Sequence, residues 1–229
     1  MTGTSDRIDV YLEIGAKRTF AGALDWPGWC RSGRDEAAAL RALFEYGPRY
    51  ARALRQARLG FRAPSDVSDF VVRERLAGNA TTDFGAPDMP TAHDSDPIES
   101  AELRRFQGVL KAGWRAFDAA VGAAPGKELR KGPRGGGREL DKIVRHLLES
   151  DAAYLALLGV RFKFAEGGDP QQELDRTRQA ILASLAAAVR GEYPAAGPRG
   201  GVRWTPRRFV HRVAWHALDH AWEIEDRLR

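Results

Sequence analysis

The spacing of apolar residues changes period part-way along the chain. Asp9 to Ile14 and Arg18 to Leu24 alternate apolar and polar positions around Gly15-Ala16-Lys17, the pattern of two strands joined by a turn. Arg34 to Phe44 instead places Leu40, Leu43 and Phe44 on one face, as an amphipathic helix does. Gly47-Pro48 should break or turn that helix, with a second helical stretch from Tyr50 towards Arg58. Asp69 to Leu76 reads as another strand. Residues near 9–14, 18–24 and 69–76 are therefore expected to form a small antiparallel sheet, with the helix that starts near Arg34 packed on one face.

Asn79, Thr81, Thr82, Gly85, Pro87, Pro90, Asp94 and Asp96 give the next stretch the composition of a linker, which divides the chain into 1–78, a linker 79–97, and 98–229. Beyond it, four segments repeat apolar residues every three or four positions: about Ile98 to Val121, Glu139 to Leu158, Pro170 to Arg190 and Pro206 to Arg227. Gly132 to Gly137 and Pro198 to Gly201 separate them. Helices of roughly 20 residues are each about 30 Å long and suit a four-helix bundle. The expected class is α+β with two domains.

Composition narrows the chemistry. Cys30 is the single cysteine of 229 residues, so neither a disulfide within the chain nor a thiolate cluster can form, and a metal would need His, Asp or Glu. No run of 18 apolar residues occurs, and Met1 to Arg7 lack the regions of a signal peptide, which points to a cytoplasmic protein without a membrane partner. The net charge of +5 is small and spread along the chain, and exposed aromatics are not interleaved with it, so nucleic acid is not an expected partner. Two basic clusters stand out: Lys127, Arg130, Lys131, Arg134 and Arg138, then Arg199, Arg203, Arg207, Arg208 and Arg212. They fit either ordinary solvated loop charge or the steering of an anionic thiol or carboxylate.

The last helical segment carries the candidate site. Phe209, Val213, His216, His220 and Ile224 trace one stripe, so two imidazoles sit a turn apart on an apolar, inward-facing side. His146 lies mid-way along the second segment, where Ile143, Leu147, Ala153 and Tyr154 mark the buried side. Three neutral imidazoles with one open position can hold zinc, and imidazole also suits nickel or iron. Taken alone, His-x-x-x-His on a helix equally fits core histidines satisfied by hydrogen bonds. His211 is offset from the stripe and His93 falls in the linker, so neither is a candidate ligand. Asp219 and Glu223 lie within a turn of the pair and can orient a second ring nitrogen, whereas Glu149 reads as exposed helix charge. Ser150 and Thr205 show no arrangement for a Ser-His-acid relay.

Arg145-His146-Leu147-Leu148-Glu149-Ser150-Asp151 and Trp215-His216-Ala217-Leu218-Asp219-His220-Ala221-Trp222-Glu223 resemble the DinB-like superfamily of metalloproteins, which includes bacillithiol- and mycothiol-dependent transferases. The resemblance covers about 98–229. It implies His146, His216 and His220 as ligands of one divalent metal, zinc or nickel first, that activates a small-molecule thiol against an electrophile. Trp26-Pro27-Gly28-Trp29-Cys30-Arg31-Ser32-Gly33 followed by Glu36-Ala37 resembles the HicB-like antitoxins over about residues 8–58, departing from them by Trp29 between Gly28 and Cys30 and by the lack of a short DNA-binding domain. Cys30 reads as a packed strand residue rather than a reactive thiol. The expectation is a metal-dependent thiol transferase that can form a homo-oligomer and whose N-terminal module mediates assembly or regulation. The alternative is a non-enzymatic regulator in which that module binds a protein or nucleic acid and the bundle is a scaffold.

Overall fold

In the computed structural model, residues 7–124, 129–131, 137–197 and 200–228 are described. Expectations resting on Met1 to Asp6, Lys127, Gly132 to Gly136 (Arg134 among them), Pro198 and Arg199 concern residues outside these. The chain divides into Met1–Asp96 and Pro97–Arg229.

The first unit is built on a four-stranded sheet in the order β3-β2-β1-β4, with β1 (Ile8–Ile14), β2 (Thr19–Ala23), β3 (Cys30–Gly33) and β4 (Phe70–Ala77). β1 pairs antiparallel with β2, and β2 with β3, but β4 runs parallel to β1. The sheet is thus mixed, not antiparallel, and has a strand that periodicity did not reveal. Cys30-Arg31-Ser32-Gly33 is too short and too polar to show alternation. Once β3 turns back beside β2 it points the same way as β1, and the helix that follows carries the chain across to the far edge, where the next strand enters in that same direction.

That helix, α1, spans Glu36–Leu54, with Asp35 accepting from the Ala38 N–H at 2.8 Å as its N-cap. It runs unbroken through Pro48, where a break was expected. Gly47 is on the buried face, where a Cβ would lie 3.3 Å from Ala63 and 3.5 Å from Trp29, while Pro48 is on the exposed face. The Phe44 carbonyl that proline leaves unpaired therefore lies towards solvent, which satisfies it. Trp29, fully buried, donates from its indole to the Leu43 carbonyl at 2.9 Å and stacks on Tyr50 at 5.7 Å, so one residue joins the β2–β3 turn to the helix. Cys30 is buried, 3.6 Å from the Tyr11 hydroxyl.

The stretch read as a linker is structured. Glu13 is fully buried in β1, and a carboxylate there needs donors. It receives them from the Thr82 hydroxyl, the Asp88 N–H at 2.9 Å and the Met89 N–H at 3.1 Å, with Thr82 set in the short helix α2 (Ala80–Phe84) by a capping box with Asn79. Polar composition marked residues that cover a buried acid rather than a spacer.

The second unit contains four long helices among the described residues: α3 (Ser100–Gly122), α4 (Leu140–Leu158), α5 (Pro170–Val189) and α6 (Pro206–Leu228). Their bounds fall within two residues of those the periodicity predicts. α6 packs against the other three, burying Phe209, Val213, Leu218 and Ile224. Its first turn is anchored by Arg207, only 2% exposed, which donates to both oxygens of Glu102 at 2.6 and 2.8 Å and to the Pro97 carbonyl at 3.2 Å. Among the described residues no helix is long and apolar enough to cross a membrane.

Because Pro48 touches solvent and α1 continues past it, Pro48→Ala should restore a backbone hydrogen bond and stabilise the first unit by about 1–2 kcal/mol. Urea unfolding measures this, and a destabilised variant would show that the proline ring packs against something essential.

Candidate metal centre

α4 contributes His146 from its middle and α6 contributes His216 and His220 from adjacent turns. The His216 Nε2 lies 3.0 Å from the His220 Nε2 and 3.2 Å from the His146 Nε2. The three ring planes stand at 73–88° to one another, with centroids 4.6–5.2 Å apart. His216 and His220 are buried at 5% and 6% exposure while His146 is half-buried, so solvent reaches the cluster from the α4 side.

Hydrogen bonds among the rings cannot account for this convergence. The His220 Nδ1 lies 2.8 Å from a Glu223 carboxylate oxygen, which places the proton of a neutral ring there and leaves the Nε2 as a lone pair. The His216 Nε2 can carry one proton and so can serve only one of its two neighbours. Its Nδ1 is buried with no partner among the described residues. A cation accepts all three lone pairs at once. Bonds of about 2.0–2.1 Å to zinc imply nitrogens spaced roughly 3.0–3.4 Å apart, which the two shorter separations match. All three ligand atoms lie within 4.8 Å of one another, and the donor set fits a single divalent ion.

The electrostatics favour the neutral form of His146 and His216. Burial, and then repulsion from Arg138 and His220, lowers His146 to about 4. Burial, the other two imidazoles, Arg212 and Arg138 hold His216 well below the usual histidine range. For Glu223 burial pushes upward, but its bonds to His220 and Arg227 outweigh this and keep it below the ordinary carboxylate value. At neutral pH the His146 and His216 rings are held unprotonated, and an ionised carboxylate, Glu223, stands behind His220.

Residues that the spacing did not single out complete the surroundings. Arg227, buried in the last turns of α6, donates to Glu223 at 3.0 Å, to the Arg138 carbonyl at 2.7 Å and to the Arg130 carbonyl at 2.8 Å. Gly137 has φ of +130°, and a Cβ there would lie 2.7 Å from the Arg227 guanidinium carbon, so only glycine lets the chain close over it. Arg212, one turn before His216, lies 3.2 Å from the Tyr154 hydroxyl and over the Tyr154 and Trp215 rings at 5.5 and 4.9 Å. The Tyr154 ring is 5.7 Å from that of His216. Of these, Arg212 belongs to one of the two basic clusters of the sequence, and the Glu223–Arg227 spacing of four is a second signal. Arg138 owes its place to a loop.

Of the two acids expected to support the ligands, Glu223 takes the His220 Nδ1, while Asp219 stands half-buried one residue before His220. Glu149 is exposed. His211 packs near Phe106, and His93 pairs with Asp96 at 2.7 Å in the first unit, so neither joins the cluster. Ser150 bonds to Tyr154, and the Thr205 hydroxyl accepts from the Arg208 N–H at 3.3 Å, which keeps both in local roles.

No protein-family model matches the chain, and no curated protein or solved structure matches it either. The reading of the site stands on its geometry.

Two outcomes follow. In metal-free protein the depressed imidazoles stay neutral while those of the unfolded chain take up protons near pH 6.5, so stability is full above that value and declines as the pH falls towards about 4. Urea midpoints across this range test it, and a flat profile would contradict it. Glu223→Gln should weaken metal affinity about 10–100-fold, measured by competition with a chelator.

Proposed function

We propose that the second unit is a DinB-like four-helix bundle that binds one divalent metal, zinc or nickel, on His146, His216 and His220, and that it transfers a small thiol to an electrophile. The observation that carries this reading is the meeting of three imidazole nitrogens at one half-open point, where hydrogen bonds among the rings cannot satisfy all of them. A divalent ion there supplies Lewis acidity, which favours the thiolate of an incoming thiol at neutral pH. The protein's own part is orientation. Glu223 fixes the His220 ring through Nδ1, Arg227 fixes Glu223, and the buried apolar stripe of α6 keeps water to the α4 side. Among the described residues, neither Ser150 nor Thr205 offers a nucleophile at the cluster, so the attacking group comes with the substrate.

The first unit we assign to a HicB-like module that serves assembly or regulation, supported by the Trp26-Pro27-Gly28 turn into β3 and the Glu36-Ala37 start of α1. The deep burial of His216 and His220 favours a second reading, a non-enzymatic regulator whose metal is structural.

One experiment separates them. Protein purified without a histidine tag should contain one equivalent of metal, and chelation or His216→Ala should abolish transfer from a panel of small thiols while circular dichroism stays largely unchanged. Full transfer by metal-free protein would refute the catalytic role of the metal. Loss of helical content together with the metal would support the regulator.

A further inference from the structure

A cavity in the helical unit lies apart from the histidines. It has a volume of about 520 Å³, the size of a site for one small molecule, and lies between α4 and the loop that leads into α5. Val121 of α3, Leu140, Val144 and Leu148 of α4, and Phe164 of the loop give it apolar walls. His146 is on another face of α4, and none of the three histidines lines the cavity, so it is separate from the metal centre.

Glu173, in the first turn of α5, also lines it and is only 5% exposed. An acid at this position complements the helix N-terminus, which accounts for its place in the sequence but not for its burial. Its Oε1 accepts from Arg176, whose guanidinium also reaches the Lys163 carbonyl at 3.4 Å and stands over the Phe162 ring at 5.5 Å, so the ion pair fastens the loop beside the helix. Gly168 closes on the same oxygen, since a Cβ there would lie 2.9 Å from it. Oε2 is buried with no hydrogen-bond partner among the described residues. Half of a buried carboxylate is thus left without a donor, beside apolar walls that hold water poorly. Asp141 and Glu149 add two acids on the exposed side of the cavity, against Arg145 as the one lining cation.

We propose that this cavity binds a small organic cation: an apolar body, one ring or a short hydrocarbon chain, ending in a protonated amine that meets the Glu173 carboxylate. The ammonium brings the donors that Oε2 lacks together with a compensating charge, and the walls take the apolar body. A neutral alcohol of the same shape brings a donor without the charge, and a carboxylate sets like charges against each other. The inference goes beyond the metal reading and does not depend on it.

The test is isothermal titration calorimetry of the full chain with 3-phenylpropylamine, 3-phenylpropan-1-ol and 3-phenylpropionate, which share a carbon skeleton and differ in the charge of its end. The amine should bind at least about tenfold tighter than the alcohol, with the carboxylate weakest. Raising the salt should leave most of that preference, because a buried charge is screened little. Glu173→Gln should bring the amine to the level of the alcohol while the alcohol itself binds as before, and Glu173→Asp, which keeps the charge, should retain part of the preference. Asp141→Asn and Glu149→Gln, at exposed positions, should change it little. Val144→Trp fills the cavity and should abolish binding of all three, which ties the heat to this site. Equal affinity for the three compounds, or no binding of any, would overturn the inference. A preference that survives Glu173→Gln, or that disappears in high salt or with the two exposed acids, would overturn the role of Glu173 and the inference with it.

Discussion

Two buried arginines fix α6 at its ends, and the candidate site depends on both. Arg207 ties the first turn to Glu102 and Pro97 at the start of α3, and Arg227 ties the last turns to the backbone at Arg130 and Arg138 ahead of α4. A guanidinium can be buried like this only when its donors are matched, because an unmatched buried charge costs several kcal/mol. With its ends tied to both neighbouring segments, α6 cannot slide along α4, and the turn that carries His216 and His220 stays level with His146. The imidazoles meet because the helix register is set elsewhere.

Other polar groups in the molecule follow the same logic of a buried charge recruiting its surroundings. Glu13 in β1 draws Thr82, Asp88 and Met89 over one face of the sheet, and Glu223 draws His220 and Arg227 together behind the cluster. In each case a carboxylate organises residues that are distant in sequence or lie on different turns. The polar interactions therefore specify arrangement, while the apolar stripes supply most of the driving force for folding.

What could be read from the sequence divides along the same line. Local periodicity was sufficient for the four long helices, since the spacing of Phe209, Val213, His216, His220 and Ile224 depends only on helical geometry. It also placed His146 mid-way along α4, near the side that Ile143 and Leu147 bury. Direction and closure in the sheet were not legible, because β4 is aligned by a crossover and β3 has too few apolar positions to show a period. Pro48 misled because the penalty for proline depends on which side of the helix faces water. Residues 79–97 misled because a capping box and a linker share the same amino acids. The tie between Arg227 and the loop before α4 runs to the backbone carbonyls of Arg130 and Arg138, which leave no trace in side-chain pattern. The geometry of the three imidazoles gives the proposed chemistry a place to be tested.

The parallel pairing of β1 with β4 has a consequence for how the chain is made. Ile8 to Ile14 are synthesised well before one neighbour of that strand, Phe70 to Ala77, and the donors for Glu13 come later still, at Thr82, Asp88 and Met89. Until those residues have been synthesised, one edge of β1 is open and an acid lies uncovered on an apolar sheet. Contacts this far apart in sequence close slowly, and a sheet waiting for its last strand is open to pairing with another chain. Translation through this stretch is therefore an interval in which the nascent protein is exposed to misassembly, and in which a chaperone that shields strand edges has a task.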